Sequence, residues 1–386
     1  MQISYAPHTS SYYLHALKST EVLTNSMLRK LLRYFTHPEA IWLAHKNELA
    51  DAGMRDSVLQ SFLHARKTTS LEKTWEILQS SNIKLIECND KAYPSHLKDI
   101  PNAPVGLYMQ GNEHALKKPL ISIVGSRNCT PYGKRACKKI AEELVHHGFG
   151  IVSGLAYGID SIAHETALEH HGTTIAVLGN GLHHSKISPP SKGRLAQTIL
   201  QKNGLLLSEY APFSHANKHT FPERNRIIAG LCIGTLVIEA SLRSGSLITA
   251  RFAQKYDRTL FAVPGSVFSE ASEGPHMLIG KGAIITSQAK TIIETLRKHT
   301  SESDNHTENM TLFSDSSRTQ THSKIEQLTR EEKAIMTMLS EQPLHIDKIL
   351  KTITLETSQI QVILITLELK GLIKNIGSME YIRLYT

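Results

Sequence analysis

The densest group of chemically capable side chains runs from Lys218 to Arg226, where Lys218, Arg224 and Arg226 accompany one amide, Asn225, and one ring, Phe221. Cations neutralise phosphates, a ring offers a base a face to stack on, and guanidinium forks grip phosphate oxygens through paired hydrogen bonds. A single-stranded nucleic acid requires that mixture. Phe221 and Pro222 interrupt the charge, which separates this segment from an ordinary solvated basic helix start. Three glycine-bearing turns repeat the anion theme. At Gly125-Ser126-Arg127 the glycine permits close backbone approach, a helix opening at Pro131 offers free N–H groups, and Arg127 can fork onto a phosphate. A plain strand-to-helix turn with a solvated arginine fits that segment equally. Ser153-Gly154, leading to Gly158 and Asp160, has the same form, and tight packing explains its small residues as well as anion cradling does. Ser244-Gly245-Ser246 ahead of a helix makes a nest for a phosphate or oxyanion. Glu239 ends an apolar run and suits a catalytic acid or a hydrogen-bonded partner of the neighbouring turns.

Other chemistries lack their signatures. No G-x-x-x-x-G-K-[ST] occurs, and Gly179-Asn180-Gly181-Leu182-His183-His184 fails G-x-G-x-x-G at its last position. There is no G-x-S-x-G elbow and no H-E-x-x-H helix. The four cysteines, Cys88, Cys129, Cys137 and Cys232, form no C-x-x-C pair, which argues against a zinc ribbon or a disulfide framework and for a reducing cytoplasm. Histidine pairs at His146–His147, His170–His171 and His183–His184 read as solvated surface, because adjacent side chains diverge on helices and strands. Lys and Arg total 43 against 35 Asp and Glu, an excess that suits a polyanionic partner. Aromatic residues are only 6% of the chain, so stacking must rest on one or two rings. No run approaches the length of a membrane helix, and Met1–His15 shows no signal-peptide pattern, so a cytoplasmic protein without membrane contact is expected.

The elements that must position these residues fall into zones. Residues 1–80 have helical apolar spacing through Leu28, Leu31, Leu32, Phe35, Val58 and Phe62, with Thr24 and Pro38 as boundary signals. Leu49–Met54 faintly resembles the turn of a helix–hairpin–helix. Residues 81–298 alternate short apolar runs with helical stretches. The predicted strands are Leu120–Val124, Gly150–Ser153, Thr173–Leu178, Leu205–Ser208, Thr235–Glu239 and Thr259–Val263. Such alternation with short loops predicts an α/β domain, a Rossmann-like doubly wound, mostly parallel sheet. Residues 299–324 are too polar to bury a core and read as a flexible linker. In 325–386 the spacing predicts helices at Thr329–Leu339, Ile346–Thr352 and Glu356–Lys370, then strands at Leu372–Ile376 and Tyr381–Leu384 around a Gly377-Ser378 turn. Three helices and a hairpin make a winged helix.

Taken in order, four motifs resemble the DNA processing protein A (DprA/Smf) family. They are Gly125-Ser126-Arg127 with Thr130–Gly133, Ser153–Asp160, Phe221–Gly230, and Arg243–Arg251 followed by Phe261–Gly265. The resemblance implies a non-enzymatic, cofactor-free, cytoplasmic protein that binds single-stranded DNA and dimerises. It would protect incoming DNA and help load the RecA recombinase in natural transformation and recombination. By similarity, Arg127, Lys218, the stacking ring of Phe221 and the group Arg224, Asn225 and Arg226 would hold DNA. Ser153-Gly154 and Ser244-Gly245-Ser246 would offer backbone N–H groups to phosphates, and no residue is expected to bind a metal. Two departures stand out: Tyr157 replaces an arginine usual in the second motif, and Leu182–Pro190 lacks the family's Asp and Tyr-Pro-x-x-Asn pattern. A competing reading comes from Gly234–Glu239, which also looks like an element of nucleotide phosphoribohydrolases. Those enzymes carry Pro-Gly-Gly before it, whereas Leu231-Cys232-Ile233 stands here. A winged-helix transcription factor is weaker, since Glu356–Lys370 holds one basic residue, Lys370, against two acidic ones.

Overall fold

Apolar residues at helical spacing near the start fold into α1 (Ser10–Ser19), α2 (Asn25–Phe35), α3 (Pro38–Leu43), α4 (Lys46–Asp51), α5 (Asp56–Thr68) and α6 (Leu71–Ser80). The Thr24 side chain caps α2 by accepting the Met27 N–H at 3.3 Å, and Pro38 occupies the first turn of α3. Between α4 and α5 the chain turns at Gly53, whose φ of +82° favours glycine. The computed structural model describes residues 9–303, 329–339, 344–353, 357–369, 372–377 and 380–383. They fall in two compact units, Met1–Asn305 and His306–Thr386. The helical zone keeps a core of its own, with Leu14, Leu28, Ile41, Leu49 and Phe62, and joins the sheet within the same compact unit. Asn25 accepts the Val105 N–H through Oδ1 at 2.9 Å, and His15 Nδ1 meets the Tyr108 hydroxyl at 2.8 Å.

The Ile, Val and Leu runs become strands buried on both faces. In chain order they are β1 (Lys84–Glu87), β2 (Gly106–Gly111), β3 (Leu120–Val124), β4 (Gly150–Ser153), β5 (Thr174–Leu178), β6 (Leu205–Ser208), β7 (Gly234–Val237), β8 (Thr259–Ala262) and β9 (Ile284–Ile285). Their order across the sheet is β1-β2-β6-β5-β4-β3-β7-β8-β9. From β6 to β9 all pairs are parallel; β1/β2 and β2/β6 are antiparallel. The six predicted strands are present within three residues at each end. β1, β2 and β9 were not foreseen: β9 is two residues long, β1 is largely half-exposed, and β2 is bounded by glycines.

Helices cover both faces. After the short α7 (Ser95–Lys98) come α8 (Pro131–His146), α9 (Ile159–Glu169), α10 (Gly193–Gln201), α11 (Thr220–Leu231), α12 (Ser246–Lys255), α13 (Glu270–Gly280) and α14 (Ala289–Ser303). Alternation along β3 divides the core: Ile121 and Ile123 pack with α8, α9 and α14, while Leu120 and Val124 pack with α11 and α12. α14 runs to Ser303, so residues 299–303 are helix where linker was expected; the rest of that expected linker lies outside the described residues.

The second unit contains α15 (Arg330–Met338), β10 (Leu344–His345), α16 (Ile346–Thr352), α17 (Thr357–Leu369), β11 (Ile373–Gly377) and β12 (Glu380–Arg383). A capping box, Thr329 with Glu332, starts α15. Ile335, Ile349, Leu364, Leu367 and Leu372 share its core, and the strands pair in the order β10-β12-β11. This is the expected winged helix with one extra strand. Of the predicted wing turn, Gly377 belongs to β11 and Ser378 lies outside the described residues.

Candidate functional site

Chain order reverses beside β3. The strands that come after it go one way, to β4, β5 and β6, and β7 then takes the other side. Open parallel sheets form a crevice beyond the carboxyl ends of strands at such a switch point. Here it is a cleft of about 800 Å³. Its walls are the turn after β3, the start of α11 and the turn before α12. Of the predicted residues, Arg127, Lys218, Phe221, Arg224, Asn225, Ser244, Gly245 and Ser246 line it together.

Their settings differ. Arg127 and Lys218 are exposed, and Phe221 and Asn225 are half-buried. Asn225 donates from Nδ2 to the Gly245 carbonyl at 3.3 Å, which ties α11 to the serine-glycine turn. In that turn the Ser244 and Ser246 hydroxyls are 2.7 Å apart, at the N-terminal end of α12. Two of the backbone donors expected to face phosphate are already used: the Ser244 N–H donates to the Ser241 carbonyl at 2.9 Å and the Ser246 N–H to Ser244 Oγ at 3.4 Å. A helix start of this kind favours anions. The turn after β3 approaches so closely that a Cβ on Gly158 would lie 2.2 Å from the Ser126 carbonyl oxygen; with a φ of +71°, that position demands glycine.

Arg224 has a different job from the one predicted. It is buried, and its guanidinium donates to the carbonyls of Gly154 (2.8 Å) and Val177 and from Nε to Asn225 Oδ1 at 3.2 Å. Burial pulls its pKa down to about 10, with neighbouring Asp160 acting in the opposite direction. Asp160 is also buried. Burial raises its pKa, against the pull of Arg224 and of the Gly154 N–H, which donates to Oδ2 at 3.1 Å. The pair clamps the second glycine-rich turn from below.

Three further predicted contacts are corrected as well. Ser153 is fully buried and donates to the Ile123 carbonyl at 2.7 Å. Gly154 has its N–H on Asp160 and exists to make room: a Cβ there would come within 2.5–2.8 Å of the Arg224 guanidinium. Arg226, two residues beyond Arg224, faces another side of the helix, where it is buried in an ion pair with Glu209. The N-terminus of α8 also differs from expectation. Glu239 fills it from within the fold, accepting the Thr130 N–H at 2.8 Å and the Thr130 hydroxyl at 2.5 Å. Glu239 is 2% exposed, so it acts as the structural partner of that turn.

The cleft also holds residues that were not predicted: Ser126, Asn128, Ser188, Asn217 and Ser241. Asn217 had a readable signal, an Asn three residues before Thr220 at a helix start. Its Oδ1 accepts the His219 and Thr220 N–H groups at 2.9 and 3.0 Å. Ser188 belongs to the divergent loop, which sinks Leu182 and Ile187 into the core and stacks His183 on Phe213 at 4.2 Å. Tyr157 stands 46% exposed, its hydroxyl 2.8 Å from Ser191 Oγ and its ring beneath the Lys192 ammonium. Asp160 is the one carboxylate among the described residues lining the cleft. Bound into the fold as it is, it leaves the open surface to cations, hydroxyls, amides and a ring.

A doubly wound sheet with a cationic, ring-bearing cleft at its switch point, followed by a winged helix, defines a Rossmann-type protein suited to extended anions. Two family descriptions match the sequence: DNA recombination-mediator protein A over residues 84–297 and the DprA winged helix domain over residues 319–376. The chain belongs to the DNA recombination-mediator protein A family. It is 40% identical to Protein Smf of Escherichia coli over 67% of this chain and 70% of that one. It is 37% identical to DNA processing protein DprA of Streptococcus pneumoniae over 74% of this chain and 97% of that one. The crystal structure of DprA from S. pneumoniae superposes with a TM-score of 0.65 at 36% identity, covering 74% of this chain and 98% of that one. A structure describing the single-stranded DNA binding mode of DNA processing protein A from Helicobacter pylori gives a TM-score of 0.50 at 34% identity, covering 56% and 96%. Among the described residues no helix is long and apolar enough to cross a membrane.

Proposed function

We propose that the switch-point cleft binds single-stranded DNA, with Arg127 and Lys218 on phosphates, Phe221 stacked on a base, and the Ser244–Ser246 turn donating to a further phosphate. The convergence of Arg127, Lys218 and Phe221 on one cleft carries this reading. They come from segments about 90 residues apart in sequence, and the pairing of exposed cation with half-buried ring is what strand binding without sequence preference uses. The relative whose structure concerns single-stranded DNA binding supports the choice of ligand. We extend the proposal to the finer roles the family resemblance implies: protection of incoming DNA, delivery to the RecA recombinase during transformation and recombination, action as a homodimer, and a cytoplasmic setting.

The nucleotide-cleaving alternative needs an available Glu239. Both of its carboxylate oxygens are engaged by Thr130, and a Cβ on Gly133 would strike them, which favours the binding reading over the catalytic one. Gel shifts of the full chain with single-stranded DNA, blunt duplex and free nucleotides side by side test the choice. Preferential retention of the single strand is expected. Equal or tighter binding of duplex, or Glu239-dependent hydrolysis of a nucleoside monophosphate, would overturn it.

A further inference from the structure

Two of the adjacent histidine pairs acquire a new meaning once the helices are in place. His146 ends α8 one turn after Glu142, and His170 is the C-cap of α9. α8 and α9 lie side by side on one face of the sheet, so these ends meet. The His146 and His170 rings stand 5.2 Å apart, edge to face, and His170 Nε2 is 3.8 Å from Glu142 Oε1. The other member of each pair turns away. His147 Nδ1 sits 2.8 Å from the Glu143 carbonyl oxygen, and His171 lines a separate surface pocket with Lys118 and Lys202. Divergence within each pair is what lets one member of each converge across the helices.

We propose that Glu142, His146 and His170 form a site for one zinc ion. One ligand atom from each lies within 4.8 Å of the other two. Tetrahedral zinc, with bonds of about 2.0–2.2 Å, sets its ligand atoms roughly 3.3–3.5 Å apart. Rotation of partly exposed side chains achieves that contraction, since His146 is exposed and the other two are half-buried. Two imidazoles with one carboxylate is a donor set for zinc and its transition-metal neighbours, not for calcium or magnesium, which take oxygen ligands. A fourth position stays open to water. The backbone contributes in the same sense: α8 and α9 both end here, and the carbonyl ends of helices favour a cation. An ordinary His170–Glu142 surface ion pair would explain the 3.8 Å approach but gives His146 no part.

The site is remote from the cleft. Glu142 lies 11 residues after Pro131, about 17 Å along α8 at 1.5 Å per residue. Zinc would clip the far ends of α8 and α9 together and leave Arg127, Lys218 and Phe221 untouched.

The test is calorimetric titration of the metal-stripped full chain with Zn²⁺, with Co²⁺ absorption reporting the ligand set. One tight equivalent is expected in the unaltered chain. His146→Gln, His170→Gln and Glu142→Gln should each weaken it at least about tenfold, whereas His147→Gln and His171→Gln should titrate as the unaltered chain does. Metal-free melting temperatures of all five variants should coincide, which excludes misfolding as the cause. Absence of a tight equivalent in the unaltered chain overturns the proposal. So does an undiminished equivalent in His146→Gln and His170→Gln, or an equal loss in the His147 and His171 variants.

Discussion

Two arginines of the same predicted binding set have opposite fates, and a pair of substitutions separates them. Arg127 is exposed in the cleft, so Arg127→Ala should abolish most single-strand binding while leaving the melting temperature within experimental error. Arg127→Lys should be only partly tolerated, because it keeps charge and loses the planar fork. Arg224 is buried against Asp160 and two backbone carbonyls. Truncation leaves those two buried carbonyls without their donor, so Arg224→Ala should lose about 1–3 kcal/mol of stability by denaturant unfolding. Phe221→Ala should cost roughly 1–3 kcal/mol of DNA binding at little cost in stability, as its ring is half-buried. Equal loss of affinity from both arginine variants at unchanged stability would refute this division. Sequence showed which residue types gather between Lys218 and Arg226. It did not show that a helix sends positions 224 and 226 inward, because two buried guanidiniums need partners, Asp160 and Glu209, from distant segments.

The strands that carry the site were legible because β3 to β8 are short apolar runs bounded by turn residues and buried on both faces. β1 and β9 gave no comparable signal, since pairing with a neighbour rather than local composition makes them strands. The same limit explains the α8 N-terminus. Its first residues announce a helix start, but the anion that fills it comes from Glu239, 109 residues further on. Glu239→Gln keeps acceptor capacity on one side only. It should destabilise the chain by about 1–3 kcal/mol in unfolding experiments, yet leave single-strand affinity largely intact. A large affinity loss without destabilisation would make Glu239 part of the binding surface.

Across the whole molecule, burial of two histidines links the fold to pH. Burial holds His15 neutral down to about pH 4 and His164 down to about pH 3. The contacts of His15 match a neutral ring, with Nε2 2.9 Å from the Thr74 carbonyl oxygen and Nδ1 placed to accept from Tyr108. Free histidine titrates near 6.5, so below that pH the unfolded chain takes up protons that the folded chain refuses. Stability should therefore be complete above about pH 6.5 and fall steadily toward pH 4, by roughly 1.4 kcal/mol per unit for each fully buried ring. Replacing His15 with glutamine should flatten that fall; an unchanged slope would show that other groups govern it. A chain ending at Ser303 should keep most single-strand affinity, because among the described residues every one that lines the cleft precedes it. The central claim is that Lys218 and its neighbours meet a single strand's phosphates, and the salt dependence of binding tests it most directly. Fluorescence anisotropy of a labelled single strand across salt concentrations should give a log–log slope shallower by about 0.7–1 in Lys218→Ala, with duplex bound more weakly throughout. An unchanged slope in that variant, with the chain folded and the single strand still bound, would contradict the assignment of the cleft.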